Sequence, residues 1–278
     1  MSLFQFRAHT CACAIMWSGV AGALGAGEPW ADEVISYDAG TVPVGGFTNP
    51  AAALGSPELV TGECFDSPNV VSLFSGPFCT DELARMGENG SLVVRFDEPI
   101  RNDASNPFGV DLIVFGNAFH IDAEFPHGVI GDGVLFGTDP MRVLVSADGV
   151  DFRDLGEYTE GQFPTQAYLD RGPYDDSPGN VLSDFTKPMN PALDTADFAG
   201  LSFAQALSLY DGSGGGTPID ISSSGLSEVR FVKILVPEVA DASVTVEIDA
   251  FATVPEPASA TVFVLMISLY GAFRRGIR

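Results

Sequence analysis

The segment GNAFHIDAEFPHG, Gly116–Gly128, sets two imidazoles and two carboxylates close together: His120, Asp122, Glu124 and His127. An extended backbone puts His120, Asp122 and Glu124 on one face. That donor set has the chemistry of zinc or another transition metal. The order His-x-Asp-x-Glu-x-x-His fits no helical zinc spacing, and the plainer alternative is a solvated loop pinned to the core by Phe119 and Phe125. Calcium needs six to eight oxygen ligands. The loops DGSGGGTPID and GPYDDSPGN supply Asp211, Asp220, Asp175, Asp176 and Asn180, and Asn117 follows the apolar run VDLIVFG at the end of a strand. Glu247 and Asp249 are expected on the outward face of the last strand. The calcium candidates are therefore Asn117, Asp211, Asp220, Glu247 and Asp249. None of them follows the ordered spacing of an EF-hand loop, and turn formation explains Asp and Gly equally well.

A glycan site needs aromatic platforms beside hydrogen-bonding groups. Tyr158, Tyr168 and Tyr174, with Phe163, fall in a polar stretch where an aromatic ring either packs locally or faces a ligand. Catalysis has little support. No serine lies in G-x-S-x-G, and DGSGGGT lacks the Gly-Lys-Ser/Thr ending of a phosphate loop. Carboxylate pairs such as Asp122 with Glu124, or Asp175 with Asp176, have the chemistry of a glycoside hydrolase, but a chain with 37 acidic residues produces such pairs by chance.

The elements that must hold these groups are mostly strands. Ser91–Phe96, Val110–Gly116, Met141–Ser146, Val229–Val236 and Val244–Val254 are short, β-branched and aromatic. In the last, Val244, Val246, Ile248 and Ala250 share one face, with Glu247 and Asp249 on the other. Asp148-Gly149 suits a tight hairpin with positive φ. One short helix is predicted in LSFAQALSLYDG. Ser202 and Gln205 have capping-box spacing, Phe203, Ala206, Leu207 and Tyr210 share a face, and Asp211-Gly212 ends it. This helix lies in a Gly-, Pro-, Asp- and Ser-rich stretch, 156–227, that reads as a loop-rich insertion between strands. Many short strands with turn-rich connections and one minor helix predict an all-β sandwich.

Both ends differ from this body. Residues 1–26 are short, carry Arg7, and continue into an apolar, small-residue run with AGALGA, the pattern of a secretory signal cut after Ala23 or Ala26. Residues 258–273 carry no charge and precede Arg274, Arg275 and Arg278, which reads as a transmembrane helix with its arginines left on the cytoplasmic side. The body is then 27–254. Of the 37 acidic residues only Glu256 lies outside it, and of the 13 basic ones Arg7, Arg274, Arg275 and Arg278 do; 36 acidic against 9 basic residues leave a formal charge of −27 there. Such a charge repels nucleic acid and anionic lipid. Cys64 and Cys79 are the two cysteines of this exported body. They are expected to form a disulfide stabilising the fold by roughly 3 kcal/mol.

Pro255-Glu256-Pro257, a membrane-length segment and an arginine cluster, in that order over 255–278, resemble the PEP-CTERM sorting signal of Gram-negative bacteria. The resemblance implies export through signal peptidase, transient anchoring in the inner membrane, and cleavage near the triplet by an exosortase-type protease. The destination it implies is the cell envelope or extracellular matrix. The segments NPAAALGSPE, GSLVVRFDEPIRND, PFGVDLIVFGNAF, VLVSADGVDF and ALSLYDGSGGGTPIDISSSGLSEVRFVKI are similar to a family of exported bacterial surface proteins expected to form galactose-binding-like jelly rolls. That resemblance implies glycan or surface binding through loops at one end and a structural calcium. The function expected is a non-catalytic matrix protein that binds polysaccharide. The alternatives are a structural matrix component without a discrete ligand, and a secreted glycoside hydrolase.

Overall fold

The computed structural model describes residues 27–41, 46–238 and 244–256. The signal segment 1–26, the apolar span 258–273, and Pro257, Arg274 and Arg275 lie outside the described residues, and among those described no helix is long and apolar enough to cross a membrane. The architecture is an all-β sandwich. A five-stranded antiparallel sheet runs β1 (Glu33–Asp38), β5 (Ser91–Arg101), β12 (Glu228–Leu235), β9 (Pro140–Ser146) and β10 (Arg153–Thr159). A four-stranded sheet runs β11 (Thr217–Ile219), β6 (Leu112–Gly116), β13 (Val246–Thr253) and β4 (Ala84–Met86). Two small hairpins complete it, β2 (Val60–Thr61) with β3 (Asn69–Val70), and β7 (Phe119–Asp122) with β8 (Ile130–Phe136).

Alternation builds the core. Leu92, Val94 and Phe96 of β5, Met141, Val143 and Val145 of β9, and Val232 and Ile234 of β12 face Leu112 and Val114 of β6 and Val246, Ile248 and Phe251 of β13. The four-stranded sheet is covered on its other face too. There Ile113, Phe115, Ala250 and Ala252 pack against Phe185 and Trp30, with Phe185 edge-on to Phe115 at 5.7 Å. Double coverage is why VDLIVFG is apolar throughout rather than alternating.

It also corrects the expectation for β13. The pairing of β13 with β6 slips between Ile248 and Ala250, so Asp249 is the extra residue of a bulge. The slip sends Ala250 to the face opposite Ile248 and buries Asp249 to 1% exposure, its carboxylate accepting the Glu58 N–H at 3.1 and 3.2 Å. Neither Glu247 nor Asp249 lies on an outward face; the Glu247 side chain is 13% exposed.

Residues 156–227 do more than connect strands. Phe163, Met189, Phe198, Ala206 and Tyr210 close a second apolar cluster over Leu73, Phe74 and Ile130, and β11 pairs with β6. The predicted helix is present as α2 (Phe203–Tyr210), with Ala206 and Tyr210 buried and Asp211 closing it at φ +49°. Ser202 donates its N–H and its hydroxyl to Gln205 Oε1 at 2.9 and 2.8 Å. Ser202→Ala is expected to cost about 1 kcal/mol, read as a lower denaturation midpoint. A second helix, the single turn α1 (Thr195–Phe198), was not anticipated; Asp194 caps it by accepting the Ala196 N–H at 2.8 Å. Asp148-Gly149 does have positive φ at Gly149, +77°, but it opens a longer loop over 147–152 instead of a two-residue turn. There Asp148 Oδ1 accepts the N–H groups of Val150 and Asp151, both at 2.9 Å. Cys64 and Cys79 are joined, with Cα atoms 5.9 Å apart.

Candidate functional site

A cleft of about 560 Å³ opens between the β7–β8 hairpin, the end of β10 and α1. β10 contributes Glu157, Tyr158 and Thr159, and the chain beyond it Gln162 and Phe163. The hairpin contributes His120, Val134 and Leu135, joined by Thr138, while Leu193, Asp194, Thr195 and Phe198 form the remaining wall. The lining includes Glu157 and Asp194 and no lysine or arginine. Tyr158 is half-buried, and burial pushes its hydroxyl pKa up, with a smaller push from Asp220.

His120 is the least ordinary group here. It is 2% exposed, lies 5.5 Å ring to ring from Phe198 and 6.4 Å from Phe74, and among the described residues neither ring nitrogen has a hydrogen-bond partner. Burial drives its pKa down to about 4, so the ring is neutral at physiological pH. The proposed zinc-like set does not assemble around it. Pairing in the hairpin slips between His120 and Asp122, so the two no longer share a simple extended face. Asp122 instead braces its own loop, accepting from the N–H groups of Glu124, Gly128 and Val129 and from the Tyr174 hydroxyl at 3.1 Å. Burial opposes its charge, yet those donors outweigh burial and hold the carboxyl below the usual range.

The three tyrosines separate. Tyr158 lines the cleft, and its ring packs against the main core, with Met141 opposite it on β9. Tyr168 is 7% exposed and packs with Val70, Val71 and Ala167. Tyr174 packs edge-on to the exposed Phe125 at 5.0 Å and is tied to Asp122; burial first, then the Asp122 carboxylate, push its hydroxyl pKa well up.

The five calcium candidates also separate, except for one pair. Asp211 is exposed and pairs with Lys187 at 2.7 Å. Asp220 accepts the Ser222 N–H at 2.7 Å. Asp249 is held by Glu58. Asn117 and Glu247 meet, the Asn117 amide donating to Glu247 Oε2 at 2.7 Å, while Arg85 Nε pairs with Glu247 Oε1 at 2.8 Å. The residue that completes this pair is Glu160. It is fully buried and its Oε1 accepts the Asn117 N–H at 3.1 Å. Burial first, then the Glu247 charge, push the Glu160 carboxyl well above its ordinary range. Nothing in YTEGQF marks Glu160 out; it is one acid among many until the fold buries it. Among the described residues, no three His, Cys, Asp or Glu side chains are grouped as a metal cluster. No protein-family model matches the chain, and no curated protein matches it.

Proposed function

We propose that the chain is a non-catalytic protein of the cell envelope or extracellular matrix that holds polysaccharide in the cleft beside Tyr158. The observation that carries this is the composition of the cleft wall. Tyr158 and Phe163 border it beside carboxylate, amide and hydroxyl groups from Glu157, Asp194, Gln162, Thr138 and Thr159. Apolar sugar faces pack on rings while sugar hydroxyls need such donors and acceptors. Its volume falls within the roughly 300–1,000 Å³ typical of small-ligand sites. Two acids, a neutral His120 and no lysine or arginine in the lining favour neutral or amino sugars over uronic acids. The sandwich is read as a galactose-binding-like jelly roll, on the segments quoted above.

Export by the 1–26 signal and sorting through 255–278 belong to the same reading. It is supported by the order of the three parts of the terminal signal, and by the exposure of Pro255 and Glu256, which follow β13. Glu256 makes a surface pair with Arg101, at 3.3 Å. Signal peptidase and an exosortase-type protease are the partners of that route, and the membrane is a partner until processing.

Titration calorimetry of the full chain in detergent, with oligosaccharides cut from the producing cell's matrix, tests the cleft. Tyr158→Ala is expected to weaken binding about tenfold, or about 1.4 kcal/mol. It should lower the unfolding midpoint as well, because the ring also packs against the main core, so binding is compared at a temperature where both proteins are folded. Equal binding by wild type and variant would exclude the cleft. No binding by either would favour a structural component without a discrete ligand, and bond cleavage would favour the hydrolase.

A further inference from the structure

Two buried oxygens next to the cleft lack hydrogen-bond partners among the described residues. Glu160 Oε2 makes no hydrogen bond, although Oε1 of the same carboxylate accepts from Asn117 N–H. Asn117 Oδ1 is likewise buried and unpaired, although the Nδ2 of the same amide donates to Glu247. A buried carboxylate oxygen without a partner is costly, and here an amide oxygen on the adjoining group shares the defect. The surroundings leave room for no added side chain. A Cβ at Gly137, where φ is +70°, would sit 2.9 Å from Asn117 Oδ1, and one at Gly116 would sit 1.8 Å from Glu160 Oε1. Arg85 answers the charge of Glu247; Glu160 also receives the electrostatic effect of Asp139, whose carbonyl accepts the Glu160 N–H at 2.9 Å.

We infer that Glu160 Oε2 and Asn117 Oδ1 are ligands of one hard divalent cation, calcium in the first instance. The donors are all oxygen, one carboxylate and one neutral amide, which suits calcium and not zinc. Water and main-chain carbonyls would supply the remaining positions, so a group of three acidic side chains is not required. The site bears on the cleft because Thr138 and Thr159, which line it, directly precede Asp139 and Glu160. A cation there would fix both stretches of wall. Cation binding does not depend on what the cleft holds.

The competing arrangement is a proton on Glu160 Oε2. The full chain in detergent, stripped with chelator and returned to physiological salt with magnesium, should take up one radioactive calcium per chain in equilibrium dialysis. Saturating calcium should raise the unfolding midpoint by roughly 5 °C. Glu160→Gln should lose both effects yet unfold in chelator at or above the wild-type midpoint, because the burial of a charge is gone. Asp211→Asn combined with Asp220→Asn should keep both. Absence of a saturable site in the wild type overturns the inference, whether or not Glu160→Gln folds. So does a site that survives Glu160→Gln or disappears in the Asp211 and Asp220 variant.

Discussion

Replacing Asp111 with alanine is expected to destabilise the fold by about 4 kcal/mol. Asp111 is fully buried at the start of β6. Its Oδ1 accepts the Asp103 N–H and the Asn106 side-chain amide, both at 3.0 Å, and its Oδ2 accepts the Ile221 N–H at 3.2 Å. Its own backbone bonds Ile219 and Val254. The carboxylate therefore ties the 103–106 turn and the segment just after β11 to the start of β6, while the Asp111 main chain holds the ends of β11 and β13. Burial pushes its carboxyl up, while the Asp103, Ile221 and Asn106 donors pull it down. Alanine removes the acceptor and strands three donors, two of them main-chain groups that cannot turn to solvent. Asp111→Asn should cost less, since one oxygen remains for two of the donors, although its NH₂ then confronts the Ile221 N–H. Denaturant titration of the full chain reads both variants. A loss under about 1 kcal/mol for Asp111→Ala would mean that the turn rearranges to satisfy itself.

Acid should act through His120. In the fold the ring titrates at about 4, against 6.5 for the ordinary side chain. Between those values the unfolded chain carries the proton and the folded chain does not, so stability present above pH 6.5 is lost as the pH falls toward 4. The contribution is about 3 kcal/mol. Glu160 and Asp249 have the opposite sign. Their carboxyls are raised in the fold, mainly by burial, so they contribute stability at low pH that is lost as the pH rises through their folded values. The informative quantity is therefore the difference between wild type and His120→Phe. Phenylalanine fits between Phe74 and Phe198 and removes the two unpaired nitrogens and the titration together. The variant is expected to match or exceed wild type above neutrality and to gain on it by about 3 kcal/mol near pH 4. Parallel curves would show that His120 finds a partner when protonated; Glu157 and Asp194, in the same cleft wall, are the charged groups placed to provide one.

How far the sequence reveals this depends on how local the cause is. Strands β5, β9, β12 and β13 are legible because alternation and β-branching are local properties, β6 because its short apolar run is, and α2 because its cap and its apolar face lie within nine residues. The turn α1 is too short to show a period. The bulge at Asp249 depends on pairing with β6, so the strand's own alternation points the wrong way. Tyr168 and Tyr158 look alike in a polar stretch, and what separates them is where the fold packs each: Tyr168 on Val70 and Val71, Tyr158 on the main core at the border of the cleft. Asn117 and Glu247 could be named as candidates from a strand end and from an expected facing, although the facing is wrong for Glu247, whose carboxylate is taken up by Arg85 and Asn117. Glu160 could not, since its role arises from burial against residues far away in the chain.

The most direct measurement is affinity electrophoresis of the full chain through a gel containing the producing cell's matrix polysaccharide, with wild type and Tyr158→Ala side by side. The expected result is retardation of the wild type that free oligosaccharide relieves, and near-normal mobility of the variant. Unretarded wild type, or equal retardation of both, would contradict polysaccharide binding in this cleft.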